Sequence, residues 1–286
     1  MVFYIWLAVG DYSSPATDLE IGMEFGVALA TAADSWKVVK RAEELGYSHA
    51  WFFDTHLLNA ELFVAMGAAA VQTQRIRLGT GVLIPGNRLA PVAASGLASL
   101  NLLAPGRIDF GVSTGYTARR TMGVGPIRLA EMKEYIRIVC ALLAGETTEW
   151  EFEGRRRKVA FMSPDIGVYN LADRIPLYIA AIGPRARRLT AELGANWIMV
   201  PRAIDRARSE IGEMKQAWRA NRHDPEKLQI SAEIGGCILA EGEPPRQPAG
   251  QGPGGTGGHA RVAQLGRGRA VRKHLRRGTT GTETIG

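Results

Sequence analysis

The chain has 286 residues, 46% of them hydrophobic and 22% charged, enough for one large domain or two ordinary ones. No stretch approaches the ~20 apolar residues of a membrane helix, and the apolar run at 2–9 lacks the basic start and cleavage site of a secretory signal. Cys140 and Cys237 stand far apart without close Cys or His partners, which excludes a disulfide scaffold or zinc cluster and reads as two thiols of a cytoplasmic protein.

Residues 1–22 read as an irregular extension ahead of Met23, a natural initiator, so an upstream start is expected here. A first strand follows at 25–30. Trp36, Val39, Ala42 and Leu45 then recur at three-residue steps on a helix that Gly46 stops in a left-handed cap. Strands are expected at 49–53 and 76–82, with a helix starting after Asn59 between them. Another helix starts at Pro91, where proline suits the first turn, before a strand at 108–113. Leu129, Met132, Ile136, Val139 and Leu143 form an apolar helical stripe closed by Gly145. The stretch 147–173 matches no pattern. Strands at 177–181, 197–200 and 228–234 complete the series, with a helix starting at Pro184. Most of these strands are nearly continuous apolar runs, as in a parallel sheet buried on both faces.

Residues 243–286 differ in kind. They hold eight Lys and Arg against two Glu, a charge of +6, whereas residues 1–242 carry 27 basic and 26 acidic residues, a charge of +1. The net charge of +7 therefore belongs to the tail, which has 11 Gly, 4 Pro and no aromatic residue. Such a composition buries too little apolar surface to order itself, so a disordered Gly/Arg-rich tail is expected, read as a frame-shifted terminus. Without aromatic interleaving or a regular repeat it makes a poor nucleic-acid arm.

Seven strands alternating with helices give an α/β fold. A doubly wound sheet normally carries a glycine-rich phosphate loop after its first strand, and here Ala30-Thr-Ala-Ala-Asp34-Ser35 has no glycine. A TIM (β/α)8 barrel fits better, with its eighth strand unaccounted for. In such barrels the active site lies at the C-terminal ends of the strands. The second strand ends in Trp51-Phe-Phe-Asp54-Thr55-His56, which places a carboxylate and an imidazole at the mouth as proton donor or ligand, or as a helix cap beside a structural histidine. The third ends in Leu78-Gly-Thr-Gly81-Val82, with glycine marking a bulge or a close backbone approach. The fourth ends in Gly111-Val-Ser-Thr114-Gly115-Tyr116, suited to a ring or a phosphate. The fifth ends in Ile182-Gly183-Pro184, leading into a helix whose free amides suit an anion. Arg185, Arg187 and Arg188 lie nearby.

Taken in order, these segments resemble the luciferase-like monooxygenase superfamily. The matching pieces are Ala42-Glu-Glu-Leu-Gly46 into Asp54-Thr-His56, Arg77-Leu-Gly-Thr-Gly81-Val82, Leu103-Ala-Pro-Gly-Arg107 into Gly111-Val-Ser-Thr-Gly115, and Pro176-Leu-Tyr-Ile-Ala-Ala-Ile-Gly183. The likeness covers about residues 23–240, and the coenzyme F420-dependent branch is the nearest in pattern. It implies a barrel domain over 23–242 that binds reduced deazaflavin or flavin at its mouth. By position it places Gly81 and Val82 at a bulge, often a non-prolyl cis peptide, behind the cofactor ring. His56 and Asp54 fall near ring and substrate as the catalytic pair. Thr114, Gly115 and Tyr116 line the cofactor pocket, and Ile182 and Gly183 form the phosphate turn.

The likeness stops near Pro245, before the family's eighth strand, so two unpaired barrel edges are expected. The activity implied is hydride transfer from reduced F420 to a small organic acceptor. Its alternatives are an FMN-dependent monooxygenase and a non-catalytic, truncated barrel. A homodimer is expected as well, with neither membrane nor nucleic acid as a partner.

Overall fold

A computed structural model of the chain describes residues 2–8, 24–201 and 203–237. The contacts divide the chain into Phe3–Gly236 and a second unit, Met1–Val2 with Cys237–Gly286, which lies almost wholly outside the described residues. The Gly/Arg-rich stretch 243–286 lies entirely outside them, and so do residues 9–22.

The first unit is a closed barrel. Its strands are β1 (Val2–Ala8), β2 (Glu24–Leu29), β3 (His49–Phe52), β4 (Arg77–Thr80), β5 (Ile108–Val112), β8 (Leu177–Ala180), β9 (Asn196–Met199) and β10 (Ile230–Cys237). Around the barrel they run β1-β10-β9-β8-β5-β4-β3-β2. Seven of these match the seven expected strands and run parallel. Among the described residues there is no eighth parallel strand.

The seam differs from expectation. Val2–Ala8, expected as part of an irregular extension, form β1, which pairs antiparallel with β2 from Tyr4↔Ala28 to Ala8↔Glu24 and adjoins β10 on its other side. The two edges expected to lie bare are therefore both paired. The physical reason is general: an open edge presents a row of unpaired amides and carbonyls, and an extended apolar segment within reach satisfies them.

Helices α1 (Trp36–Glu44), α2 (Leu62–Gln72), α3 (Ala90–Leu103), α5 (Leu129–Leu143), α6 (Pro184–Glu192) and α7 (Ile204–Ala220) follow the strands, with a short α4 (Tyr116–Arg120) after β5. Their apolar stripes and the outward faces of the strands form the larger core, which includes Val39, Phe52, Met66, Leu97, Phe110, Val139 and Trp197. No helix among the described residues is long and apolar enough to cross a membrane. Polar anchors fasten the outer layer. Arg107 caps the C-terminal end of α2, donating to the carbonyls of Ala70, Thr73 and Ile76 and to Thr73 Oγ1. Glu43 on α1 accepts the amides of Gln74, Arg75 and Ile76.

The unreadable stretch 147–173 contains a hairpin of β6 (Thr148–Phe152) and β7 (Arg155–Val159). Its turn residues, Glu153 and Gly154, both have positive φ, as a two-residue hairpin turn matched to the strand twist requires.

A smaller cluster fills the barrel interior: Ala28, Trp51, Tyr178 and Ile198, with Phe53, Val82 and Ala180 packed on it. Two glycines make room for the Trp51 indole. A Cβ at Gly79 would stand 2.4 Å from the ring, and one at Gly111 would stand 3.2 Å from Trp51 Cζ3 and 2.1 Å from the Thr80 carbonyl oxygen. At the base of the barrel Arg77 grips the fully buried Asp109 with two hydrogen bonds, 3.0 and 2.6 Å long. His49 lies beside that pair.

Candidate functional site

The exits of β3, β4 and β5 are tied together by side chains. After β3, Asp54 is buried, and its Oδ2 accepts from the Ile84 amide at 3.1 Å and from Arg88 Nη1 at 2.8 Å. Arg88 follows β4, so this pair clamps one exit loop to the next. Arg88 also donates to Glu61, whose other oxygen caps α2 through the Val64 amide, and its guanidinium lies 4.8 Å from the Phe63 ring centroid. The guanidinium is almost fully enclosed. Burial works to lower its proton affinity, but the carboxylates of Asp54 and Glu61 overcome this and hold it further toward the charged form.

His56 sits at the rim of this clamp. Its Nδ1 is 3.0 Å from Asn87 Nδ2 and 3.5 Å from Asp54 Oδ1. Its side chain is about one-third exposed (32%), whereas Asp54 has 1% exposure. The His56 carbonyl accepts from Thr121 Oγ1 at 3.0 Å, which joins this loop to the segment after α4. The structure thus brings His56 and Asp54 together, with Asp54 committed mainly to Arg88 and the Ile84 amide.

After β4 the Gly81–Val82 peptide is cis. The backbone here runs close over the interior tryptophan: a Cβ on Gly81 would stand 2.8 Å from Trp51 Cβ. Just before it, the Thr80 hydroxyl donates to the Gly111 carbonyl at 2.6 Å and accepts from the Gly111 amide at 2.8 Å. The ladder between β4 and β5, paired at Leu78↔Ile108 and Gly79↔Asp109, passes through this side-chain bridge and resumes at Leu83↔Val112.

Gly115, at φ +78°, starts α4, and a Cβ there would press within 2.3 Å of Ile84 on the preceding loop. Thr114 accepts the Ile127 amide through its carbonyl. Tyr116 is half exposed at the rim, and Arg120 both stacks on its ring and donates to its hydroxyl at 2.9 Å. At the same exit, Ser113 Oγ donates to the Ala180 carbonyl on the neighbouring β8 and brings that strand's exit alongside.

At that exit Gly183 caps α6, with nothing within 4 Å of where a Cβ would stand. A cavity of about 190 Å³ opens beside it, lined by Ile182, Gly183, Pro184, Trp197, Met199 and Arg206 among others. Open amides at a helix start beside a cavity suit an anion. Arg187 is taken up by Glu210 at 2.7 Å and Glu213 at 3.6 Å, so it supports α7.

Four site residues escaped the sequence reading: Glu61, Asn87, Arg88 and Thr121. Each acts through a partner 27 or more positions away. The available signal was a charged residue two positions after the Pro85-Gly86 turn of an otherwise apolar exit.

Comparison with known proteins adds four observations. A family model described as luciferase-like monooxygenase matches residues 13–243. An F420-dependent glucose-6-phosphate dehydrogenase of Beutenbergia cavernae is 38% identical over 46% of this chain and 40% of its own length. A 5,10-methylenetetrahydromethanopterin reductase of Methanolobus tindarius is 29% identical over 73% of this chain and 64% of its own. The chain therefore spans less than two thirds of each of these relatives. Among solved structures, the coenzyme F420-dependent tetrahydromethanopterin reductase of Methanopyrus kandleri shares the fold, with a TM-score of 0.60 and 21% identity over 72% of this chain and 64% of that one.

Proposed function

We propose that this chain, which belongs to the luciferase-like monooxygenase family, is a cytoplasmic oxidoreductase that delivers a hydride from reduced coenzyme F420 to a small organic acceptor. The observation that carries this reading is the convergence at one end of the barrel of a half-open imidazole, a close-packed glycine backbone and an open helix amino terminus. The names of the two F420-dependent relatives support the choice of cofactor.

The residues present suit such a group. The Gly81–Val82 backbone, packed on Trp51 on the side where a Gly81 side chain would stand, would offer its other side as a wall for a fused ring. Thr114, Gly115 and Tyr116 would flank the same group, and the amides of Ile182 and Gly183, in the turn ahead of α6, would take its phosphate. The bound cofactor supplies the hydride; the protein supplies orientation and a proton. His56 is the proposed proton donor, through Nε2, because Nδ1 is turned inward to Asn87 and Asp54. Asp54 positions it, held in turn by Arg88.

The test is a fluorescence titration of the full chain with F420 and, separately, with FMN. Saturable binding of F420 alone supports the reading. Binding of FMN with oxygen consumption would assign the flavin monooxygenase chemistry instead, and binding of neither overturns both. A His56→Ala protein that binds F420 normally yet keeps full turnover would remove the proton-donor role.

We also infer a homodimer formed through α2 and α3. Neither helix carries a charged side chain, and together they leave Val64, Val71, Val92, Leu102 and Leu103 exposed. Two neighbouring uncharged helices with one apolar outer stripe match the surface that association buries. Sedimentation should show a dimer that Val71→Lys with Leu102→Glu converts to monomer; a wild-type monomer at micromolar concentration would exclude it.

A further inference from the structure

Asn87 brings its side chain to the His56 ring at 3.0 Å between Asn87 Nδ2 and the ring Nδ1, nearer than Asp54 Oδ1 at 3.5 Å. The other end of its carboxamide, Oδ1, is buried without a hydrogen-bond partner. A carboxamide exchanges donor and acceptor by a half-turn. With nitrogen toward the ring, it donates to a bare Nδ1, and the ring proton sits on Nε2. With oxygen toward the ring, it accepts from Nδ1–H. In either orientation one end of the amide has no protein partner, so the two lie close in energy and the ring's protonation decides between them. Asp54 Oδ1, 3.5 Å from Nδ1, favours the second orientation whenever the ring is charged. The Arg88 cation is held on the other carboxylate oxygen.

We propose that Asn87 is the positioning residue of His56, an amide that turns over to keep Nδ1 satisfied in both charge states of the ring. This rests on the proposed hydride transfer. In the reduction of a carbonyl, hydride adds to carbon, the C=O π pair moves to oxygen, and the imidazolium gives its Nε2 proton to that oxygen. The product is an alcohol and a neutral ring protonated at Nδ1, which Asn87 Oδ1 and Asp54 hold. Without an acceptor at Nδ1 the same transfer would leave that N–H buried beside a group that cannot receive it, a cost of the order of a lost hydrogen bond. Once water has returned a proton to Nε2 and taken the one on Nδ1, the amide makes its half-turn and donates to the bare Nδ1 of the neutral ring. A neutral ring protonated only at Nε2 cannot give that proton up, so the residue that governs Nδ1 also governs when Nε2 is an acid.

The test reads the tautomer directly, on the cofactor-free full chain. Nitrogen-15 spectra of labelled histidine separate Nδ1–H from Nε2–H, and His56 is assigned by its loss in His56→Gln. Wild type at alkaline pH should show neutral His56 protonated at Nε2. Asn87→Asp, which can only accept, should move the tautomer ratio toward Nδ1–H by tenfold or more, one hydrogen bond's worth. Asn87→Leu, of similar size, tests the case in which the charged variant folds poorly. It should leave F420 affinity and KM within about threefold while kcat falls at least tenfold. An unchanged tautomer ratio in a folded Asn87→Asp, or an unchanged kcat in Asn87→Leu, overturns the proposal. If the wild type binds F420 but turns nothing over, the hydride reading fails while the tautomer result still stands or falls by itself.

Discussion

At the base of the barrel, below the Trp51 layer, His49 is held neutral. Its side chain is 13% exposed, its Nδ1 is 2.8 Å from Ser48 Oγ, and its ring lies parallel to Trp51. Burial, with the nearby Arg77 cation adding to it, lowers its pKa from 6.5 to about 4. The carboxylates of Glu24 and Asp109, 3.5 and 3.9 Å away, pull in the opposite direction. Asp109, however, is already neutralised by Arg77. The sign follows from linkage. Below pH 6.5 the unfolded chain takes up a proton on this residue, and the folded chain does not until about pH 4. Stability therefore falls with acidification through that window and levels off below it. A shift of this size corresponds to about 3 kcal/mol, a large part of the stability of an ordinary domain. Urea unfolding of wild type and His49→Gln at half-unit steps from pH 7.5 to 4.5 checks it. The variant should be about 1 kcal/mol less stable at neutral pH, from lost ring packing, and should overtake wild type at about pH 6. Two parallel curves would show that His49 is not held neutral, and the argument from burial would be wrong.

Three other perturbations address different parts of the frame. Gly79→Ala puts a methyl into the Trp51 ring and should cost about 3 kcal/mol, whereas in a Trp51→Leu background the same change should cost less than ~1 kcal/mol; additive losses in the unfolding cycle would refute the fit described here. Arg88→Met leaves Asp54 buried without its cation and should destabilise by about 3–5 kcal/mol in urea melts, an outcome excluded if the loss is below ~1 kcal/mol. Arg107→Ala removes four hydrogen bonds from the end of α2 and should cost about 2–3 kcal/mol, with Arg107→Lys recovering less than half, because an ammonium cannot span those acceptors.

The seven parallel strands were legible because strands covered on both faces read as nearly continuous apolar runs, such as Leu177–Ala180 and, but for Asp109, Ile108–Val112. The β6–β7 hairpin was not. Arg155-Arg-Arg-Lys-Val159 lies exposed along most of its length, so burial imposed no alternation on it and its strand character comes from pairing with β6. The strand β1 was hidden differently: Gly10, Asp11, Ser13, Ser14 and Pro15 follow its short apolar run, and they made the whole stretch ahead of Met23 read as irregular. At the mouth, Asp54 and His56 stood out as polar groups ending an apolar run. Their bonding partners did not, since Asn87 and Arg88 reach them from 31 and 34 positions away. Local pattern shows which side chains arrive at a strand exit; the folding of the loops decides which of them meet.

The bridge between Thr80 and Gly111 has a wider bearing. One hydroxyl serves as both acceptor and donor to the facing residue. Three residues on, the Leu83 amide donates to the same Gly111 carbonyl at 2.8 Å and Leu83 pairs with Val112. The strand therefore steps away from β5 only across Gly81 and Val82 and is caught again beyond them. Mouth and wall are laid in one course: Leu83 and Ile84 are buried, and Arg88 is held by Asp54. A lineage that redraws residues 83–88 has to redraw the barrel beneath them, whereas the two residues between the ties are the ones left free of the ladder.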